Sequence, residues 1–425
     1  MKTLLGKFKS NYLIRVLFSL KGNPRACIWA EPLWGIPYNL YLPYVTLFMT
    51  SIGLSYAQIG YVTSITMASQ MVSAVLSGVL ADKLGRRRCT LIFDVLSWSV
   101  PTFLWMCAQD LSWFVVAALF NGMWRVTENS WYLLLIEDAE KDQAIALSSL
   151  TNLMGLIAAF FAPISKFAVD AFGVVATMRV LYGFACVSMT AKFVLLYRFG
   201  TETRNGLRRM EATKNKPLWK SLWECKDVYI GIVREKRMLL TLAILASYML
   251  VTTLNSNYWA LYLRDILGVS EGNVSLFVTL KSLVILICSF ALVPRVRYQS
   301  IRTPMLLSLA AFAASQLLLL TNLGGVAGVA VLALSVALEA TALSVLGPVT
   351  GSLVFIHAAE NERALIAGMV YATVALIVSV FPSLVGMLAQ RTLRAPFYIN
   401  LCLFVLLAVL SIAISRLPAA HEKAE

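Results

Sequence analysis

Gly78-Val79-Leu80-Ala81-Asp82-Lys83-Leu84-Gly85-Arg86-Arg87-Arg88 decides how the rest of the chain is read. It packs an aspartate, two glycines and four cations into little more than a turn. Apolar stretches of membrane-spanning length, about 20 residues, run into it and out of it. The same alternation of apolar runs and short charged connections continues along the chain.

Composition agrees. The 425 residues are 59% hydrophobic and 14% charged, with a mean hydropathy of +0.75. Soluble domains carry about 25% charged residues, so this chain is built for lipid. Lys and Arg (36) outnumber Asp and Glu (22). The excess cations sit in short loops and not on a basic face of a soluble fold, which argues for membrane topology and against a nucleic-acid partner. No short apolar run near the N-terminus ends in a small-residue cleavage site, so no signal peptide is expected. The seven cysteines are scattered through apolar runs without C-x-x-C spacing and read as small buried hydrophobes.

Twelve spans are expected: 27–50, 58–81, 89–109, 112–136, 145–169, 174–197, 238–262, 273–294, 303–322, 325–356, 364–389 and 396–416. With the N-terminus inside, 28 cations fall on the cytoplasmic side, and Arg179, Arg264, Arg391 and Arg394 fall outside. That asymmetry places both termini in the cytoplasm of a multi-pass protein of the cell membrane. The longest loop, Arg198 to Arg237, divides the chain into a first bundle (1–197), a central loop (198–237) and a second bundle (238–425). Behind Pro217, one side carries Leu218, Trp219, Leu222, Trp223, Tyr229 and Ile230 and the other Lys220 and Lys226, as in a helix lying on the inner leaflet.

The halves repeat. Ala139-Glu140-Lys141-Asp142-Gln143-Ala144 follows the fourth span and Ala359-Glu360-Asn361-Glu362-Arg363-Ala364 the tenth. Both lie on the same side, as in parallel repeats of a secondary transporter. The expected fold is therefore an all-α integral membrane protein, with twelve transmembrane helices as two parallel six-helix repeats around a central cavity.

Gly78-x-x-x-Asp82-Lys83-x-Gly85-Arg86-Arg87 resembles the signature between the second and third helices of the major facilitator superfamily. The resemblance implies a cytoplasmic gate made of Gly78, Asp82, Lys83, Gly85, Arg86 and Arg87, with an acid at the inner end of the fourth helix as partner. Glu137-Asp138 sits there, and Asp138 is taken as the gate residue. From the residues themselves, both glycines permit close helix approach and a tight turn, and Asp82 can pair with its flanking cations. A second family signature, Arg-x-x-Gln-Gly, is met by Asn121-Gly122, with Ala118 where the arginine belongs. The antiporter pattern Gly-Pro-x-x-Gly-Gly is broken by Lys166, and Gly347-Pro348-Val349-Thr350-Gly351 resembles it from the tenth span. The second-half loop at 294–302 keeps cations but lacks the acid and glycines.

Helical spacing gathers polar residues into stripes. The first span offers Glu31, Trp34, Tyr38 and Tyr41. The fourth offers Asn121, Arg125, Glu128 and Tyr132, and the seventh Tyr248, Thr252, Asn255, Trp259 and Tyr262. The resemblance implies that the first, fourth, seventh and tenth helices line the cavity. Charges inside spans usually face protein or water. Glu339 and Glu31 are the candidate proton carriers. Lys281 is read as a site for an anion or a cross-cavity carboxylate, and Arg125 with Glu128 either binds substrate or forms a pair. Lys192 is expected to snorkel inward, and Asp94 to support the neighbouring loop. His357 and His421 have no metal-spaced partner, and no nucleotide-binding or hydrolase motif is present.

The expected function is secondary active transport of a small organic solute by alternating access. It is not an enzymatic activity, and it needs no cofactor beyond a coupling proton. Efflux of amphipathic compounds is preferred. Uptake or exchange of an anionic metabolite through Arg125 and Lys281 is the alternative, and a lipid flippase or a transporter-like sensor a further one. Expected partners are a small-molecule substrate and the lipid bilayer, without nucleic acid, for a monomeric chain.

Overall fold

The computed structural model describes residues 12–139, 144–215, 217, 235–292, 302–321, 325–357 and 363–416. The amphipathic stretch behind Pro217, most of both repeated hexapeptides, the loop at 294–301 and His421 lie outside the described residues.

Every regular element among the described residues is helical. The helices are α1 (Tyr12–Ser19), α2 (Gly22–Ala30), α3 (Pro32–Tyr41), α4 (Val45–Ser51), α5 (Tyr56–Leu84), α6 (Arg86–Asp94), α7 (Val100–Cys107), α8 (Leu111–Asn121), α9 (Trp124–Ile136) and α10 (Ala144–Ala159). They continue as α11 (Ile164–Phe199), α12 (Arg204–Thr213), α13 (Lys236–Asp265), α14 (Glu271–Ala291), α15 (Arg302–Leu320), α16 (Gly325–His357), α17 (Arg363–Ser379), α18 (Phe381–Arg391) and α19 (Ala395–Ser415).

Nine stretches of described helix are long and apolar enough to cross a bilayer unaided. The other crossings are broken, each for a local reason. The first span is α2 to α4, interrupted at Pro32 and at the 3-10 turn Leu42–Tyr44, which holds Pro43. The fourth is α8 and α9, parted at Gly122. The fifth begins as α10 and ends inside α11, where Gly173 takes φ +76 and the chain turns back as the sixth. Counted in this way, the twelve-helix layout holds.

Between α6 and α7 lies a π-helical turn, Val95–Ser99. Turns of this kind release a backbone acceptor and cluster at functional sites. Here the carbonyl of Ser97 accepts a hydrogen bond from Asn121 Nδ2 at 2.9 Å.

Large apolar side chains such as Phe167, Phe172, Val187, Phe290 and Val405 point outward, as expected where the solvent is hydrocarbon. Lipid tails are as apolar as leucine, so helices associate through close packing and interhelical hydrogen bonds, the latter about 0.6 kcal/mol each. Ser188 Oγ donates to the Leu33 carbonyl at 2.8 Å, Ser99 meets Thr190 at 2.7 Å, and Thr90 meets Ser130 at 2.9 Å. Asn273 lies in the first turn of α14, and Ser275 is buried with its hydroxyl on the Gly272 carbonyl at 3.0 Å.

The end of the molecule that carries Tyr56 is sealed between the halves. Tyr56 Oη donates to Asp265 at 2.6 Å, Tyr44 Oη to the Gly272 carbonyl at 3.2 Å, Arg264 to Thr50 at 3.0 Å, and the Ser383 amide to Ser64 at 3.0 Å. α5 packs along α17 and α18. At Gly60 the backbones come so close that a Cβ would lie 2.2 Å from the Pro382 carbonyl oxygen. Gly78, expected to permit a close approach, faces open space instead.

These two glycines give opposite predictions. Gly60→Ala should lower the melting temperature of the purified protein. Gly78→Ala should leave it unchanged or raise it, because alanine is about 0.5–1 kcal/mol better than glycine inside a helix.

Candidate functional site

A cavity of about 510 Å³ is walled by the first, second, third, fourth and sixth spans, with Asn257 of α13 facing it from the second half. Its size is within the range of roughly 300–1,000 Å³ typical of small-molecule pockets. Much of the wall is aromatic. Trp34 and Tyr38 stack at 4.7 Å, and Trp98 stands edge-on to both at 5.0 and 5.8 Å. Trp105, Trp124 and Trp131 also line the surface, with Tyr41 and Phe114.

Four charged side chains line this surface: Glu31, Asp94, Glu128 and Lys192. Lys192 Nζ donates to Glu31 at 2.7 Å and lies 5.6 and 5.5 Å from the ring centres of Trp34 and Trp131. It does not snorkel, because its charge is met inside the bundle. Glu128 pairs with Arg125 at 2.5 Å. The Arg125 guanidinium is held between Trp124 (3.8 Å) and Tyr371 of the eleventh span (3.5 Å), so this cation bridges the halves. Asp94, expected to brace the loop, is a buried part of the cavity wall. Its Oδ1 accepts from Thr127 Oγ1 at 2.6 Å, and its Oδ2 has no partner among the described residues.

The second half holds its own charge pair. Glu339 accepts from Lys281 and, at 2.7 Å, from Asn255 Nδ2, while Asn255 Oδ1 accepts from Gln316 at 3.0 Å. Lys281, read as a site for an anion or a cross-cavity carboxylate, thus meets the carboxylate of Glu339 within its own half. Trp259 is buried, with its ring centre 6.0 Å from Lys281 Nζ. Of the expected path residues, Glu31, Trp34, Tyr38, Asn121 and Glu128 line the cavity. Arg125, Asn255, Trp259, Lys281 and Glu339 stand behind it or in the second-half network. Tyr132 is turned outward, toward Ser148.

The Gly85 turn forms a separate cluster. Gly85 takes φ +81, and the Glu202 carboxylate caps the start of α6 by accepting the amides of Arg86 and Arg87 at 2.8 and 3.0 Å. The buried Arg86 pairs with Asp82 at 2.9 Å and with Glu137 at 3.0 Å. Arg87 donates to the Tyr197 carbonyl at 2.8 Å, and Lys83 closes the last turn of α5. α12 lies across this turn: Arg209 pairs with Asp82 at 2.8 Å, and Thr203 and Asn205 donate to Glu137 at 2.5 and 2.8 Å. The acid that meets the signature arginine is Glu137; Asp138 accepts the Arg204 amide at 3.3 Å. Among the described residues, these bonds tie the turn to the fourth span and the linker helix and do not reach the second half.

The model of the Major Facilitator Superfamily matches residues 34–254 and 240–425. No curated protein matches the chain. Among solved structures, the nucleoside transporter NupG is similar at 14% identity and TM-score 0.72, covering 94% of this chain and 100% of its own. The human organic anion transporter MFSD10 (TETRAN) matches at 16% identity and TM-score 0.62, with 94% and 100% coverage. A POT family transporter in complex with a thioalcohol-conjugated peptide matches at 14% identity and TM-score 0.67, with 92% and 94% coverage. At such identities the likeness is one of fold. The chain belongs to the major facilitator superfamily. It is a multi-pass membrane transporter and not an enzyme.

Glu137 gives the cluster a pH signature. Burial pushes its carboxyl up, but hydrogen bonds from Arg86, Thr203 and Asn205 outweigh burial and hold it below the ordinary 4.5. A depressed folded value means that its stabilisation is complete above the ordinary value and is lost as pH falls through the folded one. Glu137→Gln should therefore destabilise the protein by about 1–2 kcal/mol at neutral pH. The gap to wild type in thermal melts should close in acid.

Proposed function

We propose that the protein is a proton-coupled secondary transporter that moves small amphipathic organic compounds by alternating access, with efflux as its direction. The observation that carries this reading is the aromatic cavity with the Glu31–Lys192 pair set in its wall. A charge inside a span costs at least about 2.5–3.5 kcal/mol and persists only when met or used. Protonating Glu31 removes the partner of Lys192, so proton binding and the electrostatics of the cavity are linked. Glu339 with Lys281 is the corresponding element of the second half.

Positive-inside counting puts the Gly85 turn, the linker and both termini on the cytoplasmic side of the cell membrane. The sealed Tyr56 end then faces outward, and the structure corresponds to a state closed to the exterior. The bundles 1–197 and 238–425 are the two moving bodies, with 198–237 between them. Asp82, Gly85, Arg86 and Arg87 act as a cytoplasmic gate whose bonds to α12 must rearrange when that side closes. The coupling ion is the proton, and no other cofactor is needed.

Transport of an anionic metabolite through Arg125 and Lys281 is the second reading. It is supported by the position of Arg125 between the halves. Against it, both cations already have carboxylate partners. Arg125→Ala abolishing transport of carboxylated or phosphorylated solutes would favour it. A sensor role rests on the linker alone; deleting 205–230 without loss of transport would remove it.

In proteoliposomes, a Glu31→Gln/Glu339→Gln double variant should lose pH-driven accumulation of a fluorescent lipophilic cation. Undiminished accumulation would contradict the coupling assignment.

A further inference from the structure

The charged groups of the cavity do not balance. Glu31 is met by Lys192 and Glu128 by Arg125. Asp94 is left with a single neutral donor, the Thr127 hydroxyl, and a second oxygen that nothing among the described residues reaches. The residue is 5% exposed, so bulk water does not take the place of a partner. Its charged neighbours are Lys192, already engaged, and Glu31, of the same sign. Buried carboxylate oxygens are normally hydrogen-bonded, and one without a partner in a residue of the cavity wall marks the place of an absent donor.

The surroundings define that donor. Asp94 ends α6, and the π-helical turn that follows it presents Trp98 to the Trp34–Tyr38 stack. Trp34 and Trp131 already flank one cation, Lys192, at 5.6 and 5.5 Å, so these ring faces accept positive charge. A planar apolar body fits the aromatic wall, and a cationic N–H group beside it would complete Asp94. A carboxylate or phosphate in the same position would face Glu31 and Asp94 without a free cation.

We infer that Asp94 is the recognition point for a protonated amine, and that the solute is a small aromatic monocation whose ring lies against Trp34, Tyr38 and Trp98. This rests on the transporter reading and narrows it to a substrate class. The amine hydrogen-bonds Asp94 Oδ2, Thr127 holds the other oxygen in place, and the Glu31–Lys192 pair stays intact beside it. Release is aided when Asp94 takes up a proton, because the neutral acid no longer attracts the ammonium group.

Binding to the purified full-length protein tests this separately from turnover. Calorimetric titration with tryptamine, tryptophol and indole-3-acetic acid compares a cationic, a neutral and an anionic head on one aromatic body. Tryptamine should bind about tenfold or more tighter than either analogue, as a charged hydrogen bond to a buried acid implies. Asp94→Asn should abolish the difference, and Asp110→Asn, at an exposed helix cap, should preserve it. Equal affinity for the three, no detectable tryptamine binding at millimolar concentration, or a preference surviving Asp94→Asn would each overturn the inference. Should Asp94→Asn fail to fold, the wild-type comparison of the three ligands still decides. Tryptamine binding without transport in proteoliposomes would count against the transporter reading alone. Transport of another solute without an amine preference would count against this inference alone.

Discussion

A buried charge inside a bilayer span has to be matched, and the interior of this protein is arranged to match it. Lys192 of the sixth span reaches Glu31 of the first, and Lys281 of the eighth reaches Glu339 of the tenth. In each half the pair spans two helices far apart in sequence, fixing which helix faces meet. Asn255 and Gln316 extend the second pair into a chain of hydrogen bonds across four spans. Removing one partner of such a pair leaves an uncompensated charge, which costs about 3–5 kcal/mol where burial is complete. Helix packing in lipid supplies only tenths of a kcal/mol per polar contact, so these pairs weigh heavily in the arrangement.

The two ends of the molecule are held by different means. The Tyr56 end is closed by direct bonds between the halves and by backbone contact at Gly60, where no side chain separates α5 from α18. At the Gly85 end, the described bonds bind the turn to its own half and to α12. A strong seal at one end and self-contained charge clusters at the other describe one of two arrangements open to a rocking bundle. Between them lies the aromatic cavity, with its unmatched acid.

Much of the architecture is legible in the sequence because hydropathy acts locally. Span positions follow from runs of apolar residues, and the turn at Gly85 from a glycine that has to take positive φ. Pairing is different. Nothing local in Lys192 indicates that a glutamate 161 positions earlier will receive it, and its position near a span end suggested snorkelling instead. Asp94 was visible as an acid early in a span, but nothing local indicates that it lies on the cavity wall. Glu202 was missed altogether, although an acid directly after the sixth span and near the Arg86–Arg88 cations was an available cue. Gly78 matches the family pattern, yet its expected close approach is absent here.

Opposed charges across helices, and not either residue alone, hold each half together. A double-mutant cycle on Lys281 and Glu339, read by thermal melting of the purified protein, tests this most directly. Lys281→Met and Glu339→Leu should each lower the melting temperature, and the double variant should melt higher than either single one, because no lone charge remains. Additive losses in the double variant would contradict the account.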